Sequence, residues 1–186
     1  MLKKCNAICS WVIIICLFGH LFTMSYSMLT GWYDYSVCKM LAWFTAAAAA
    51  LHVLISLIIV FFFHDGSQLT RYPRRSKRII LQRASGIVII CLLHLHVKAF
   101  GFIVNGTALS ASDKCFILIT ELLFFAAIFV HLGVSFSRSL ITMGWLASDR
   151  AEKKADFAMM VLCAALMLIT GFALTRYIVL WTGFGG

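Results

Sequence analysis

The chain alternates between five long apolar stretches and short segments in which the charged residues collect. The apolar stretches cover residues 7–29, 40–63, 79–104, 115–137 and 156–180. Crossing a hydrocarbon core of about 30 Å takes about 20 helical residues, so each stretch is long enough to span a membrane. The pattern predicts an all-α integral membrane protein, a single domain over residues 1–186 in which five transmembrane helices form a bundle.

The composition supports this prediction. Of the 186 residues, 62% are hydrophobic and 12% are charged. A soluble domain of this size has too little interior to hide that much apolar surface. Lys3 and Lys4 precede the first stretch, as in a signal peptide, but the stretch is longer and no small-x-small cleavage site clearly ends it. We therefore expect it to be a retained helix in contact with membrane lipids.

The basic residues predict the orientation of the helices. They lie before the first stretch, between the second and third, and between the fourth and fifth: Lys3, Lys4, Arg71, Arg74, Arg75, Lys77, Arg78, Arg138, Arg150, Lys153 and Lys154. By the positive-inside rule the N-terminus is cytoplasmic and the C-terminus is outside. The net charge of +9 is then mostly topological and does not indicate nucleic acid. The basic face could also dock a partner or anionic lipid.

The seven cysteines form no metal-binding pattern. They are scattered, with no C-x-x-C pair for zinc or iron–sulfur and no C-x-x-C-H for covalent haem. Most are expected to pack as small apolar residues. Cys38 and Cys115 fall near the outer ends of predicted helices and could pair.

Histidines occur in four consecutive apolar stretches. His64, at the cytoplasmic end of the second stretch, is most simply an interfacial residue. Polar groups in lipid are costly and need partners, and a single buried histidine often only bonds a neighbouring helix. Histidine is also the commonest metal ligand, and bundle interiors hold cofactors between facing helices. A set spread over four helices therefore favours cofactor binding.

Depth in the membrane sorts these histidines into two pairs. At 1.5 Å per residue, His20 and His96 lie about 20 and 25 Å from the cytoplasmic ends of their helices. On the same basis His52 lies about 17 Å and His131 about 10 Å from theirs. A planar macrocycle that is ligated on both faces needs two histidines at matching depth on different helices. The pairs predict two haem sites, stacked across the membrane.

Four segments resemble helices of a known family. "LQRASGIVIICLLHLHVKAF" resembles the third helix of the five-helix, di-haem cytochrome b subunit of succinate dehydrogenases and fumarate reductases, with its Q-R-x-[ST]-G start. "AALHVLISLIIVFF" resembles the second helix, "FVHLGVSFSRSLITMG" the fourth and, more loosely, "CLFGHLFTMSYSML" the first. The resemblance implies that His20 and His96 bind the outer haem iron and that His52 and His131 bind the inner one.

His94 competes with His96 for the ligand role on the third helix. Two residues apart, their side chains point about 200° from each other, so that only one can face a given haem. The motif spacing favours His96, and His94 would then face a neighbouring helix or a quinone.

Each haem b carries two propionates, which need cations or hydrogen-bond donors in a low-dielectric setting. The candidates are Arg83, Gln82, Ser85, Arg138 and Lys77 for the inner haem, and Arg176 and Lys98 for the outer haem. Snorkelling to the interface would also explain Lys98 and Arg138.

Glu121 is the one glutamate inside a predicted span, at about the level of the outer haem. An intramembrane carboxyl is a functional hypothesis by default. It could accept a proton from a quinol or bond a quinone at a catalytic quinone site. Alternatively, it could pair with Lys98 or His94.

The resemblance implies a function. The chain would be the membrane-anchor, haem- and quinone-binding subunit of a succinate:quinone oxidoreductase or quinol:fumarate reductase in a bacterial-type cytoplasmic (inner) membrane. Its cofactors would be two haem b and menaquinone or a related quinone. The "RYPRRSKR" segment and residues 150–154 would dock an iron–sulfur subunit, followed by a flavoprotein that holds the dicarboxylate and flavin sites. Either reaction direction is compatible with the sequence.

Two other functions stay open. The chain could be the cytochrome b subunit of a formate dehydrogenase or hydrogenase, although the Q-R-x-S-G helix start argues against it. It could also be a haem-free transporter or anchor in which the histidines relay protons.

Overall fold

The residues that the structure, a computed structural model, describes are 1–32, 34–62, 73–104 and 109–180, and they form five helices. The helices are α1 (Leu2–Thr30), α2 (Tyr35–Phe62), α3 (Pro73–Val104), α4 (Ala111–Met143) and α5 (Asp149–Leu180). Each is long and apolar enough to cross a membrane, and these residues include no strand. The predicted all-α, five-helix membrane bundle is confirmed, and the protein is a multi-pass membrane protein.

Four helices extend beyond the predicted spans at the end rich in basic residues. α1 begins at Leu2 rather than at residue 7, α3 at Pro73 rather than at 79, and α5 at Asp149 rather than at 156, while α4 ends at Met143 rather than at 137. Hydropathy detects the part of a helix that lies in lipid, whereas backbone hydrogen bonding continues into water. The extensions of α3 and α5 carry Arg78 and Glu152, an ion pair that joins these two helices.

α1 and α4 occupy the centre of the bundle. α1 packs against α2, α4 and α5, while α4 packs against α1, α3 and α5. Within the described residues, the backbone of α2 approaches α1 alone and that of α3 approaches α4 alone. Side chains that reach from α1 to α3, or from α2 to α4, therefore meet without close backbone contact between those helices.

The core lies where α1, α4 and α5 meet. Its buried members include Leu17, Phe124, Phe129, Met159 and Leu174. Large apolar side chains also cover the outside of the bundle, as shown by Phe22, Phe61, Phe62, Leu168 and Phe172, which are all more than half exposed. An apolar surface of this extent would be unfavourable in water and matches contact with lipid tails.

Two glycines end helices where the chain reverses. Gly31 follows α1 with φ 78° and Gly144 follows α4 with φ 83°, both in the left-handed region. Glycine adopts this conformation without the Cβ penalty of other residues. At the other end of α4, Ser110 caps the helix by accepting a hydrogen bond from the backbone N–H of Asp113. These turns fix where α2, α4 and α5 start.

Candidate functional site

His20 on α1 and His96 on α3 face each other across the bundle. Their ring centroids lie 6.4 Å apart, and the rings are inclined at 81°. A metal–imidazole nitrogen bond is about 2 Å long, so two imidazoles on opposite sides of one metal ion have centroids about 6 Å apart. The separation of the two rings is therefore compatible with both imidazoles binding one metal ion between them. His94 is exposed on the surface of the bundle.

Two residues of α4 hold the His96 imidazole. Its Nδ1 lies 2.7 Å from Oε2 of Glu121, and its ring stacks on Phe124 with centroids 4.8 Å apart. Glu121 is only 5% exposed. An ionised carboxylate can only accept a hydrogen bond, so opposite ionised Glu121 it is Nδ1 that carries the hydrogen, and Nε2 of a neutral imidazole keeps its lone pair. Glu121 thus pairs with His96, rather than with Lys98 or His94 as considered from the sequence.

His20 is held less completely. Its imidazole interacts with the backbone of Cys38 on α2, and its Nδ1 is a buried atom without a hydrogen bond within the described residues. A buried polar atom left without a partner is unfavourable. His20 therefore has a buried ring nitrogen whose hydrogen-bonding capacity is unused within the described residues.

His131 on α4, one of the two histidines of the predicted inner haem site, is also held through its Nδ1. Nδ1 of His131 lies 3.0 Å from the carbonyl oxygen of Gln82 and 3.1 Å from Oγ of Ser85. A backbone carbonyl can only accept, so Nδ1 donates here as well and Nε2 keeps its lone pair. A Cβ on Gly86 would lie 3.4 Å from Cε1 of His131, so α3 and the imidazole are in contact. Gln82 and Ser85 therefore orient His131.

His52 on α2 is held by α1. Its Nδ1 lies 3.2 Å from Oγ of Ser10, and that hydroxyl donates its own hydrogen to the carbonyl oxygen of Asn6 at 3.0 Å. While the hydroxyl donates to Asn6, the Ser10 oxygen accepts from Nδ1, and Nε2 again keeps the lone pair. The imidazoles of His52 and His131 lie within range of electrostatic interaction with each other.

The basic candidates for haem propionates lie at the bundle surface. Arg83 is exposed, and Nη1 of exposed Arg138 lies 3.4 Å from Oε1 of Gln82. Lys98 is exposed, with Nζ 5.9 Å from the ring centroid of Phe102. The structure thus leaves all three cations at the surface of the bundle.

The remaining basic candidates divide between the two ends of the bundle. Nη1 of Arg176 donates to the carbonyl oxygen of Leu29 at 2.6 Å and so ties α5 to the outer end of α1. Lys77 is exposed near the start of α3. His64 and Arg71 lie outside the described residues. Cys38 is buried and Cys115 is exposed, and both are free thiols, so the pairing considered from the sequence is not formed.

Arg78 is a structural centre, whereas the sequence analysis treated it as a topological charge and as part of the predicted docking segment. It joins α3 to α4 and α5 through two acidic side chains, a hydroxyl and a carbonyl oxygen. The signal that could have found it is the spacing of Glu152 and Asp156, which places both carboxylates on one face of α5. Ser10 was also missed, although Asn6 and Ser10 form a similar polar face on α1 opposite His52 and Ser56.

Among the described residues, no three His, Cys, Asp or Glu side chains cluster as a metal site would require. A haem iron needs only two protein ligands, so the paired histidines are a different kind of arrangement. No family model matches the chain, and no curated protein or solved structure matches it either. The likeness to di-haem cytochrome b subunits thus stays a prediction from sequence.

Proposed function

We propose that the chain is the membrane-anchor, haem- and quinone-binding subunit of a succinate:quinone oxidoreductase or quinol:fumarate reductase. In this role it carries electrons between a membrane quinone, such as menaquinone, and a cytoplasmic iron–sulfur and flavoprotein pair. His20 and His96 hold the outer haem b, and His52 and His131 hold the inner one. The proposal joins the helix-by-helix sequence resemblance to the way these imidazoles are held.

The observation that carries the proposal is the hydrogen bonding of three of the four histidines. Nδ1 of His52, His96 and His131 is bonded to a protein oxygen in each case. Metal-binding histidines almost always donate their other ring N–H to a carboxylate, carbonyl or similar acceptor, which fixes the tautomer and the ring orientation. Histidines that only fill polar gaps can bond through either ring nitrogen, so the use of the same nitrogen in these three cases favours ligand binding.

The protein residues have separate tasks in this proposal. Glu121, Ser85 and Ser10 orient the imidazoles, while the apolar core around Phe124 and Phe129 excludes water. Haem iron, when bound, supplies a one-electron carrier whose potential depends on its axial ligands and their surroundings. Arg83, Arg138, Arg176 and Lys98 would serve the propionates.

The cytoplasmic docking surface would lie at the ends of α3 and α5. Arg150, Lys153 and Lys154 are exposed on the first turns of α5. An exposed basic surface favours an acidic partner by complementary charge. An iron–sulfur subunit seated there would receive or deliver electrons at the inner haem, in a bacterial-type cytoplasmic membrane.

Absorption of purified membranes tests the haem assignment. Wild-type protein is expected to give a reduced b-type α-band and two haems per chain by the pyridine haemochrome assay. His20→Ala and His96→Ala should each lose the same spectral component, and His52→Ala and His131→Ala the other. His94→Ala is the matched control, because that side chain is exposed two residues from His96. Wild-type protein without haem would refute the proposal and leave a proton-relaying transporter or anchor.

Co-purification tests the partner. A tagged chain expressed from its native context is expected to carry an iron–sulfur protein and a covalent or tightly bound flavin, with succinate-dependent quinone reduction. Recovery of a molybdenum or nickel–iron enzyme instead would place the chain with formate dehydrogenases or hydrogenases.

A further inference from the structure

Glu121 is buried and hydrogen-bonded to His96, unlike a side chain that is free to contact a mobile substrate such as quinone. Its side chain is 6% exposed, and Oε2 is bonded to Nδ1 of His96 at 2.7 Å. Within the described residues, the His96 imidazole is the polar group to which the Glu121 carboxylate is hydrogen-bonded. A buried carboxylate is costly unless it is paired, so Glu121 and His96 depend on each other.

The acceptors on the other two bonded histidines are neutral. His131 donates to a carbonyl oxygen and a hydroxyl, and His52 donates to a hydroxyl. Glu121 is therefore the one charged acceptor that the described residues place on this set. The outer pair is thus electrostatically different from the inner pair.

We propose that Glu121 is a positioning residue that sets the redox potential of the outer haem through His96, rather than a group that acts on quinone. The inference rests on the proposed function, since it needs a haem at His96. A carboxylate that draws the Nδ1 hydrogen makes Nε2 a stronger electron donor, as carboxylates hydrogen-bonded to metal-bound histidines do in other proteins. Its negative charge in a low-dielectric interior acts in the same direction. Both effects stabilise ferric over ferrous iron.

Glu121→Gln isolates the charge from the geometry. Glutamine keeps the length of the side chain and a carbonyl oxygen that can accept from Nδ1, but it lacks the negative charge. The equilibrium between the oxidised and reduced outer haem should then shift about tenfold or more towards the reduced form. This shift corresponds to a rise in potential of about 59 mV for a one-electron couple. The inner haem should keep its wild-type potential.

The experiment is a redox titration of the b-type α-band in membranes that contain the whole complex. His20→Ala identifies the component that belongs to the outer pair, and Glu121→Gln is expected to move that component alone to higher potential. Ser85→Ala is the matched control, because His131 keeps the Gln82 carbonyl as an acceptor and the outer component should not move. Loss of the outer haem alone in Glu121→Gln would overturn the inference, since the carboxylate would then be needed for the haem to bind rather than to set its potential.

Two wild-type-like components in Glu121→Gln would overturn the inference while leaving the proposed function intact. Wild-type membranes without haem would instead overturn the proposed function, and the inference with it. If Glu121→Gln does not accumulate, Glu121→Asp takes its place; this substitution keeps the charge but retracts it from Nδ1. A shift of the outer component to higher potential is again expected, and an unchanged potential would again overturn the inference.

Discussion

The Arg78 guanidinium joins three helices, and its removal gives a measurable loss of stability. Nη1 lies 3.1 Å from Glu152 and 2.8 Å from Asp156, while Nη2 lies 3.0 Å from Asp156. Nη2 also donates to Oγ of Ser137 and to the carbonyl oxygen of Val134, at 3.1 Å each. Arg78→Ala removes all of these bonds at once.

The magnitude follows from the exposure of the partners. The side chains of Arg78, Glu152 and Asp156 are 34%, 27% and 21% exposed, so the two ion pairs are partly screened. Ion pairs in such a setting contribute at most about 1 kcal/mol each. Ser137 is fully buried, and a buried hydroxyl that loses its partner costs about 1 kcal/mol or more. We expect Arg78→Ala to lower the free energy of unfolding by about 2–3 kcal/mol.

The assay is equilibrium unfolding in mixed micelles with increasing SDS, followed by tryptophan fluorescence. Trp11 on α1 and Trp145 after α4 have ring centroids 5.4 Å apart, with the rings inclined at 56°, so their emission reports separation of the helices. Lys77→Ala is the matched control, since Lys77 is an exposed cation one residue away.

A double-mutant cycle with Asp156→Ala tests the cause. Arg78 and Asp156 share two hydrogen bonds, so their changes should be non-additive by about 1 kcal/mol or more. The reasoning would be refuted if Arg78→Ala matched Lys77→Ala, or if the effects of the Arg78 and Asp156 substitutions simply added.

Two further predictions concern the turn after α4 and the orientation of the chain. Gly144→Ala should lower the free energy of unfolding by about 1–2 kcal/mol in the same SDS assay, because φ 83° is unfavourable for alanine. Gly101→Ala is the control: a Cβ added there would have no atom within 4 Å, so this substitution should not lower the free energy of unfolding. Equal effects of the two substitutions would contradict this reasoning. The distribution of basic residues predicts that residue 186 lies outside and residue 146 in the cytoplasm. Alkaline phosphatase, which is active only outside the cytoplasm, should therefore be active when fused after residue 186 and inactive when fused after residue 146. The opposite pattern would show that the predicted orientation is wrong.

Sequence reasoning succeeded where one dominant free-energy term operates. Apolar length fixes the number of spans, because an unpaired backbone in lipid is too costly for any structure other than a helix there. The spacing of His20 and His96 along their helices also predicted their shared level, because helical rise is constant. The structure then places their rings 6.4 Å apart.

Other features could not be read from one-dimensional patterns. The partner of Glu121 depends on the relative rotation of α3 and α4, and a rotation of either helix would have presented Lys98 or His94 instead. The five bonds of Arg78 depend on how α5 packs beside α4, although the spacing of Glu152 and Asp156 gave a partial signal.

The sequence by itself determined an all-α membrane protein with five spans and set the depth of its histidines, since hydropathy and helical rise are properties of each segment alone. Only the tertiary structure decided which helices touch and which oxygen each imidazole meets. A hydrogen bond requires two atoms to lie within about 3 Å at a suitable angle, and that condition is set by packing between helices. The acceptors at Nδ1 of His52, His96 and His131 are therefore tertiary features of this protein.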